Sequence, residues 1–528
     1  MEVMVLGFFD VVKAILFITA LLFIALNIIS FIFRLFRAKG YKRFVELRLK
    51  SIPADQVFPI VKPEEIATIC KTLKESYNSC ATRPFETRKQ ILYALYRMLY
   101  DNKQALGDAI RKDLHRDRHF SVLETESVIE EVEYLIQNMD AELSDKRVRS
   151  TAVQLLAQSF ITHEPYGVVC VIAPWNFPIN LSLIPVAGAL ACGNTVFLKL
   201  SKYSFNSSKL IAELCDRYIP SEYLRCEYMS GRESIQACCD ADFDYYFFTG
   251  STTVGKLVHQ AAAKKLVPVT LELGGKNPVI VDKNVDLKTA AKRIAWAKCV
   301  NGGQICVCTD HAYVHKDIYD AFCEEVKKCF IQFFGEDAQK SDDYPRMITK
   351  DAAAKMKEII EQSDVFYGGN VDIEDRYVQP TLLKNVKMTD LSMENEIFGP
   401  ILPIIKYENL EEVFAMIKEH PNPLAAYVFT SDDAFFEKFR LNVNSGALYR
   451  NDAIIHLING NLPFGGNCQS GIGYYHGKFT FSTFSRPRAV VQAHTFIDVP
   501  LRYWPFTYIA EIAFKYCAFW EIPILSYL

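Results

Sequence analysis

The run NGGQICVCTD, Asn301–Asp310, sets two cysteines one residue apart behind a flexible, glycine-bearing turn, so either Cys306 or Cys308 is a candidate nucleophile. A thiolate is the reactive form. An ordinary thiol, with a pKa of about 8.5, needs a site that favours the anion or a base to assist it. Two further stretches could hold an anion. In FTGSTTVGK, Phe248–Lys256, Gly250 and Gly255 stand at a strand-to-helix junction, where backbone amides can approach a pyrophosphate or simply make a turn. In LELGGK, Leu271–Lys276, Gly274 and Gly275 carry the same two readings. The fifteen cysteines include no CxxC and no Cys/His ligand spacing, so no metal site is expected and most read as small buried hydrophobes.

Positioning such groups requires a scaffold, and 528 residues suffice for roughly three domains. From Lys62 to Ile136 apolar residues recur every three or four positions, as in ILYALYRMLYDNKQALGDAIRKDL, which predicts helices. The pattern then changes. VVCVIAPWNFP (Val168–Pro178) and NTVFLKLS (Asn194–Ser201) read as strands around the apolar helix LSLIPVAGALACG, and FDYYFFTG followed by STTVGKLVHQAAAKK repeats strand then helix. Such alternation predicts an α/β protein with a parallel sheet and crossover helices. TLELGGKNPVIVD (Thr270–Asp282) opens a second series that runs to about Phe484.

At the start, Ala14–Phe33 is twenty residues without a charge, long enough to cross a bilayer as a helix. Arg34, Arg37, Lys39, Lys42 and Arg43 follow it, against Lys13 before it, which predicts a retained single-pass anchor with everything downstream in the cytosol. In that compartment the cysteines would be thiols. Lysine and arginine total 59 against 62 acidic residues, so charge gives no case for a nucleic-acid partner.

Taken in order, PWNFP (174–178), FTGSTTVG, LELGGK, NGGQIC, EIFGP (396–400) and LPFGG (462–466) resemble the aldehyde dehydrogenase superfamily over about Lys62–Phe506. LPFGGNCQSGIGYYHGKFTFSTFS, TRPFETRKQILYAL and LRYWPF resemble its class 3, fatty aldehyde dehydrogenase, branch. The resemblance implies a Rossmann-like cofactor-binding domain at 62–145 and 165–273 and an α/β catalytic domain at 274–484. It further implies a small β arm for dimerisation at 146–164 and 485–500. The anchor at 14–33, with residues 1–13 before it and a basic linker at 34–61 behind, precedes these, and a hydrophobic tail at 501–528 follows. It makes Cys306 the nucleophile and gives Cys308 no role. Asn176 and the Cys306 backbone N–H become the oxyanion hole, and Glu272 the general base that lets water hydrolyse the thioester. Glu272 also argues against relatives that pass the acyl group to coenzyme A. Glu396 would hold the nicotinamide ribose, with a possible share in the base role. Trp175, Lys199, Gly250, Ser251, Gly255, Leu273, Gly274 and Phe398 complete the implied cofactor site.

One position departs from the family. Relatives that prefer NAD usually read KPSE or KPAE where this chain has Lys199, Leu200, Ser201 and Lys202, so a lysine replaces the carboxylate on the adenine ribose. NAD remains the expected cofactor, with NADP opened by Lys202. The tail TYIAEIAFKYCAFW (Thr507–Trp520) suggests a helix lying at a membrane interface, covering a substrate funnel, or packed on the catalytic domain. The expected function is oxidation of medium- to long-chain, lipid-soluble aldehydes to fatty acids by a membrane-anchored homodimer. Short or aromatic aldehydes are the first alternative, and a catalytically idle binding relative is the second. No SKL or KDEL ending and no mitochondrial presequence composition is visible, so endoplasmic reticulum is the default membrane, with outer mitochondrial and peroxisomal membranes open.

Overall fold

The structure, a computed structural model, describes residues 60–516 apart from 152–153, 155–156, 497 and 499. The expected anchor and most of the basic linker lie outside the described residues. Among the described residues no helix is long and apolar enough to cross a membrane.

The expected helical stretch forms α1 (Ile66–Asn78), α2 (Phe85–Leu114) and α3 (Arg118–Leu143). His115 ends α2 in the left-handed conformation, and Asp117 restarts the helix by accepting a bond from the Phe120 amide at 2.8 Å. Next come β1 (Lys146–Val148) and β2 (Gln158–Pro165). The alternating region follows as β3 (Val168–Ile172), α4 (Asn180–Ala191), β4 (Thr195–Lys199), α5 (Phe205–Tyr218), β5 (Leu224–Glu227), α6 (Arg232–Asp240), β6 (Tyr245–Thr249), α7 (Thr252–Lys265) and β7 (Val269–Glu272). VVCVI, TVFLK and YYFFT are buried at every position, as strands covered on both faces by helices must be.

The second series runs β8 (Pro278–Val281), α8 (Leu287–Cys299), β9 (His311–His315), α9 (Tyr319–Phe334), α10 (Lys350–Glu361), β10 (Val365–Tyr367), β11 (Val371–Asp372), β12 (Tyr377–Val378), β13 (Thr381–Leu383) and β14 (Ile401–Tyr407). It ends with α11 (Leu410–Ile417), β15 (Ala425–Phe429), α12 (Asp433–Asn442), β16 (Ala447–Arg450), β17 (Gly471–Ile472), α13 (Lys478–Phe484), β18 (Ser485–Gln492) and α14 (Tyr508–Tyr516).

The first large sheet has the order β17-β7-β6-β3-β4-β5 and the second β10-β13-β14-β9-β8-β15-β16; β1, β2 and β18 form a separate antiparallel sheet. Both large sheets are parallel apart from the outermost strands β17 and β10. In the first, β3 pairs with both β4 and β6, so consecutive crossovers leave its end in opposite directions. That is where open α/β sheets form a ligand crevice, and PWNFP follows β3 there. β17 pairs with β7 from within the stretch expected to be wholly catalytic, with Gly471 opposite Glu272. α14 is exposed at Tyr508, Ile509, Ile512, Phe514 and Tyr516. It therefore presents an aromatic surface, and its Phe514 ring meets Phe506 edge-on.

Candidate active site

α8 ends in a tight turn where Asn301, Gly302 and Gly303 all take left-handed φ values of 52°, 62° and 74°. A Cβ on Gly303 would collide with the Gly399 carbonyl, so glycine is required both for the backbone angle and for contact with EIFGP. Side-chain amides lock the turn. Asn301 Nδ2 donates to the carbonyls of Asn176 (3.0 Å) and Gln304 (3.1 Å). Gln304 donates to the carbonyls of Asn301 and Arg346 and accepts from the Ile348 amide. Asn277 Nδ2 donates to the carbonyls of Cys306 (2.7 Å) and Cys308 (3.1 Å), and Tyr427 Oη donates to Val307 O between them. Cys306 is left partly exposed while Cys308 is buried in the core. The geometry thus separates the two thiols that spacing alone left equivalent.

The second wall is PWNFP. Arg116 and Glu124 form a fully buried ion pair beneath it. Glu124 accepts from the amides of Ile179 (2.8 Å) and Asn180 (3.0 Å), and Arg116 donates to Asn176 O at 3.4 Å. Asn176, itself buried, donates one N–H to Gln304 O at 3.1 Å, which ties its side chain to the Cys306 loop and leaves the second N–H for an incoming oxygen. Asn176→Ala is expected to lower kcat by about 10²–10³-fold with little change in cofactor affinity, measured by steady-state kinetics and dinucleotide titration.

Glu272 ends β7, 2% exposed, and neither carboxylate oxygen has a hydrogen-bond partner. Burial alone pushes its carboxyl well above the ordinary range. Glu396 is pushed up to about 8, by burial first and then by the Asp310 charge, against the Gly275 amide and Lys276. Its Oε1 is unpartnered. Burial raises the Cys306 thiol as well, despite its partial exposure, and Glu396 and Glu272 add to the effect. Both carboxyls therefore lie close enough to Cys306 to disfavour ionisation of its thiol.

A Cβ on Gly274 would collide with Glu396 Oε2, so that glycine makes room for the carboxylate. The EIFGP loop is held by Lys276, which donates to Asp310 at 2.6 Å and to the carbonyls of Ser392 and Asn395. Asp310 Oδ1 accepts from the Ile397 amide at 2.9 Å. Burial works against the Asp310 carboxylate and is the largest single effect, but Lys276, His311 and Lys298 together outweigh it and hold the group below its usual range. Phe398 takes a left-handed φ of 52° and meets Trp175 edge-on at 5.4 Å.

On the cofactor side, Gly250 donates to Glu272 O at 3.0 Å and Ser251 caps α7. A Cβ on Gly255 would stand 2.5 Å from Leu273, so this glycine seats the helix against the residue after Glu272. Lys199, at the end of β4, is buried and donates to Leu200 O at 2.9 Å. Lys202 is exposed and crosses Gly231, with its ammonium 5.6 Å from the Tyr203 ring centre. The orphaned oxygens of Glu396 and of Glu227, at the end of β5, are acceptors of the kind a dinucleotide's ribose hydroxyls satisfy, so the residues fit a nicotinamide dinucleotide. Arg116, Glu124, Asn277, Gln304, Asp310 and Glu227 were not singled out by sequence. Gln304 and Asp310 lie within NGGQICVCTD, whereas Arg116 and Glu124 lie far upstream of the loop they support.

The aldehyde dehydrogenase family model matches residues 56–490. "Aldehyde dehydrogenase 1" of Entamoeba histolytica is 61% identical over 529 residues, covering 100% of both chains. "Aldehyde dehydrogenase family 3 comG" of Dictyostelium discoideum is 42% identical, covering 84% of this chain and 95% of that one. Among solved structures, the substrate-bound state of Staphylococcus aureus AldH superposes with a TM-score of 0.82 at 33% identity, covering 85% of this chain and 98% of that one.

Proposed function

The chain belongs to the aldehyde dehydrogenase family, in its class 3 branch, and from that premise we propose that it oxidises medium- to long-chain aldehydes to fatty acids at a membrane surface. The observation that carries the chemistry is the meeting of one accessible thiol, Cys306, with two buried carboxyls and the Asn176 amide. Cys306 attacks the aldehyde carbon as its thiol proton passes to a neighbouring carboxylate, Glu396 or Glu272, and the resulting alkoxide accepts from Asn176 Nδ2 and the Cys306 N–H. Bound nicotinamide supplies the two-electron acceptor. The acyl group is left on Cys306 as a thioester. Glu272 takes a proton from the water that hydrolyses it, and the carboxylic acid leaves. Glu396, Trp175 and Phe398 would hold the nicotinamide end, the α7 N-terminus the pyrophosphate, and Lys199 the adenosine end.

The uncharged stretch Ala14–Phe33 supports the lipid-soluble substrate, because a tethered enzyme meets aldehydes that have partitioned into the bilayer. The exposed aromatic face of α14 suits the same interface. The antiparallel sheet of β1, β2 and β18, with β18 largely exposed, supports a dimer built across that arm. Endoplasmic reticulum, with the catalytic part in the cytosol, is the proposed location.

The test is turnover by the full chain in liposomes. Hexadecanal is expected to exceed propanal in kcat/KM by more than about tenfold, since each buried methylene contributes up to about 0.8 kcal/mol. Equal or faster turnover of propanal or benzaldehyde, or failure of the protein to float with the vesicles, would move the reading to short or aromatic substrates.

A further inference from the structure

The carboxylate missing from position 202 has a counterpart on the neighbouring strand. β4 and β5 are parallel, and their registered partners include Lys199 and Glu227, the last residue of each. Registered partners project to the same face of a sheet, so this lysine and glutamate stand side by side at the carboxyl edge, where dinucleotides bind. Glu227 is fully buried. Its Oε1 accepts from the Ser230 amide at 2.7 Å, and its Oε2 has no partner. Lys199 donates to Leu200 O at 2.9 Å instead of to Glu227. A donor and an acceptor held adjacent but unpaired match a vicinal diol, which can accept from one and donate to the other.

We propose that Glu227 accepts the adenine-ribose 2′-hydroxyl of the dinucleotide, with Lys199 on the same diol, and thereby selects NAD over NADP. A 2′-phosphate would instead press its negative charge on a buried carboxylate. Lys202, exposed and turned across Gly231, is a rim charge in this arrangement. The selection depends on the family's nicotinamide chemistry and is independent of which aldehyde is oxidised.

Isothermal titration of the full chain without aldehyde, using NAD, NADP and the NAD analogue lacking the adenosine 2′-hydroxyl, tests this. The unaltered protein is expected to bind NAD about 10- to 100-fold more tightly than the 2′-deoxy analogue, the range for a hydrogen bond to a charged group. Equal affinity for those two ligands overturns the proposal without any variant. Glu227→Gln is expected to weaken NAD by a similar factor while barely changing the 2′-deoxy analogue. A variant that loses all three ligands equally, with a lowered unfolding temperature, would mark Glu227 as structural and sink it. Lys202→Glu is expected to leave the NAD to NADP ratio within about fivefold, as for other exposed charges. A larger gain for NAD would return the role to position 202. Binding of neither dinucleotide would overturn the cofactor reading as well, an outcome distinct from unselective binding.

Discussion

Cys306→Ala is expected to leave aldehyde-dependent reduction of either nicotinamide at least about 10⁴-fold below the unaltered enzyme, the scale on which loss of a covalent nucleophile acts. The protein should still fold and bind dinucleotide, because the side chain is partly exposed and the loop is held by Asn277, Gln304 and Asn301 through backbone carbonyls. Cys308→Ala is the matched control. It removes a buried thiol two residues away and should retain turnover. Steady-state kinetics with circular dichroism decides. If Cys306→Ala turns over normally, or both substitutions abolish activity alike, the covalent mechanism is wrong.

Glu272→Gln is expected to separate the two halves of the reaction. One equivalent of reduced nicotinamide per site should appear in a burst, followed by a steady rate lowered by about 10²–10⁴-fold. Mass spectrometry should then find the acyl adduct on Cys306. Absence of both burst and adduct would assign the base role elsewhere, with Glu396 next in place.

The raised carboxyls also fix the sense of two pH dependences. Work by Glu272 as a base requires the ionised form, and burial raises its pKa, so kcat should rise with pH in the unaltered enzyme and flatten in the glutamine variant. Stability runs the other way. A carboxyl whose pKa is higher folded than unfolded binds its proton more tightly in the native state. Its contribution is therefore fully present below the unfolded value of about 4.3 and declines as pH rises toward the folded one. For Glu396 that window closes at about 8. Glu272→Gln should thus raise the unfolding temperature near and above neutral pH, the opposite of its effect on turnover.

What could be seen in the sequence was whatever the backbone demands. Gly302, Gly303 and Gly274 sit where a left-handed angle or a close approach admits little else, so their motifs stand out in the chain. The buried strands VVCVI and YYFFT were equally plain. The supports were not, because they act through space. Arg116 and Glu124 read as ordinary charges near the end of one helix and the start of the next until they meet under PWNFP. Glu227 acquires meaning only from the β4–β5 register, because nothing in LRCE itself marks it. Lys202, conspicuous as a departure, proves to be exposed.

The pairing of β17 with β7 bears on how the enzyme comes into being. Glu272 is synthesised about two hundred residues before Gly471, the partner that seals its strand, so Glu272 stays on an open sheet edge while the intervening chain emerges from the ribosome. A protein of this design cannot complete the pocket around Glu272 until Gly471 has been made. Until then its most reactive groups are not yet assembled, and the exposed edge of β7 is a place where a nascent chain can aggregate or a chaperone can bind.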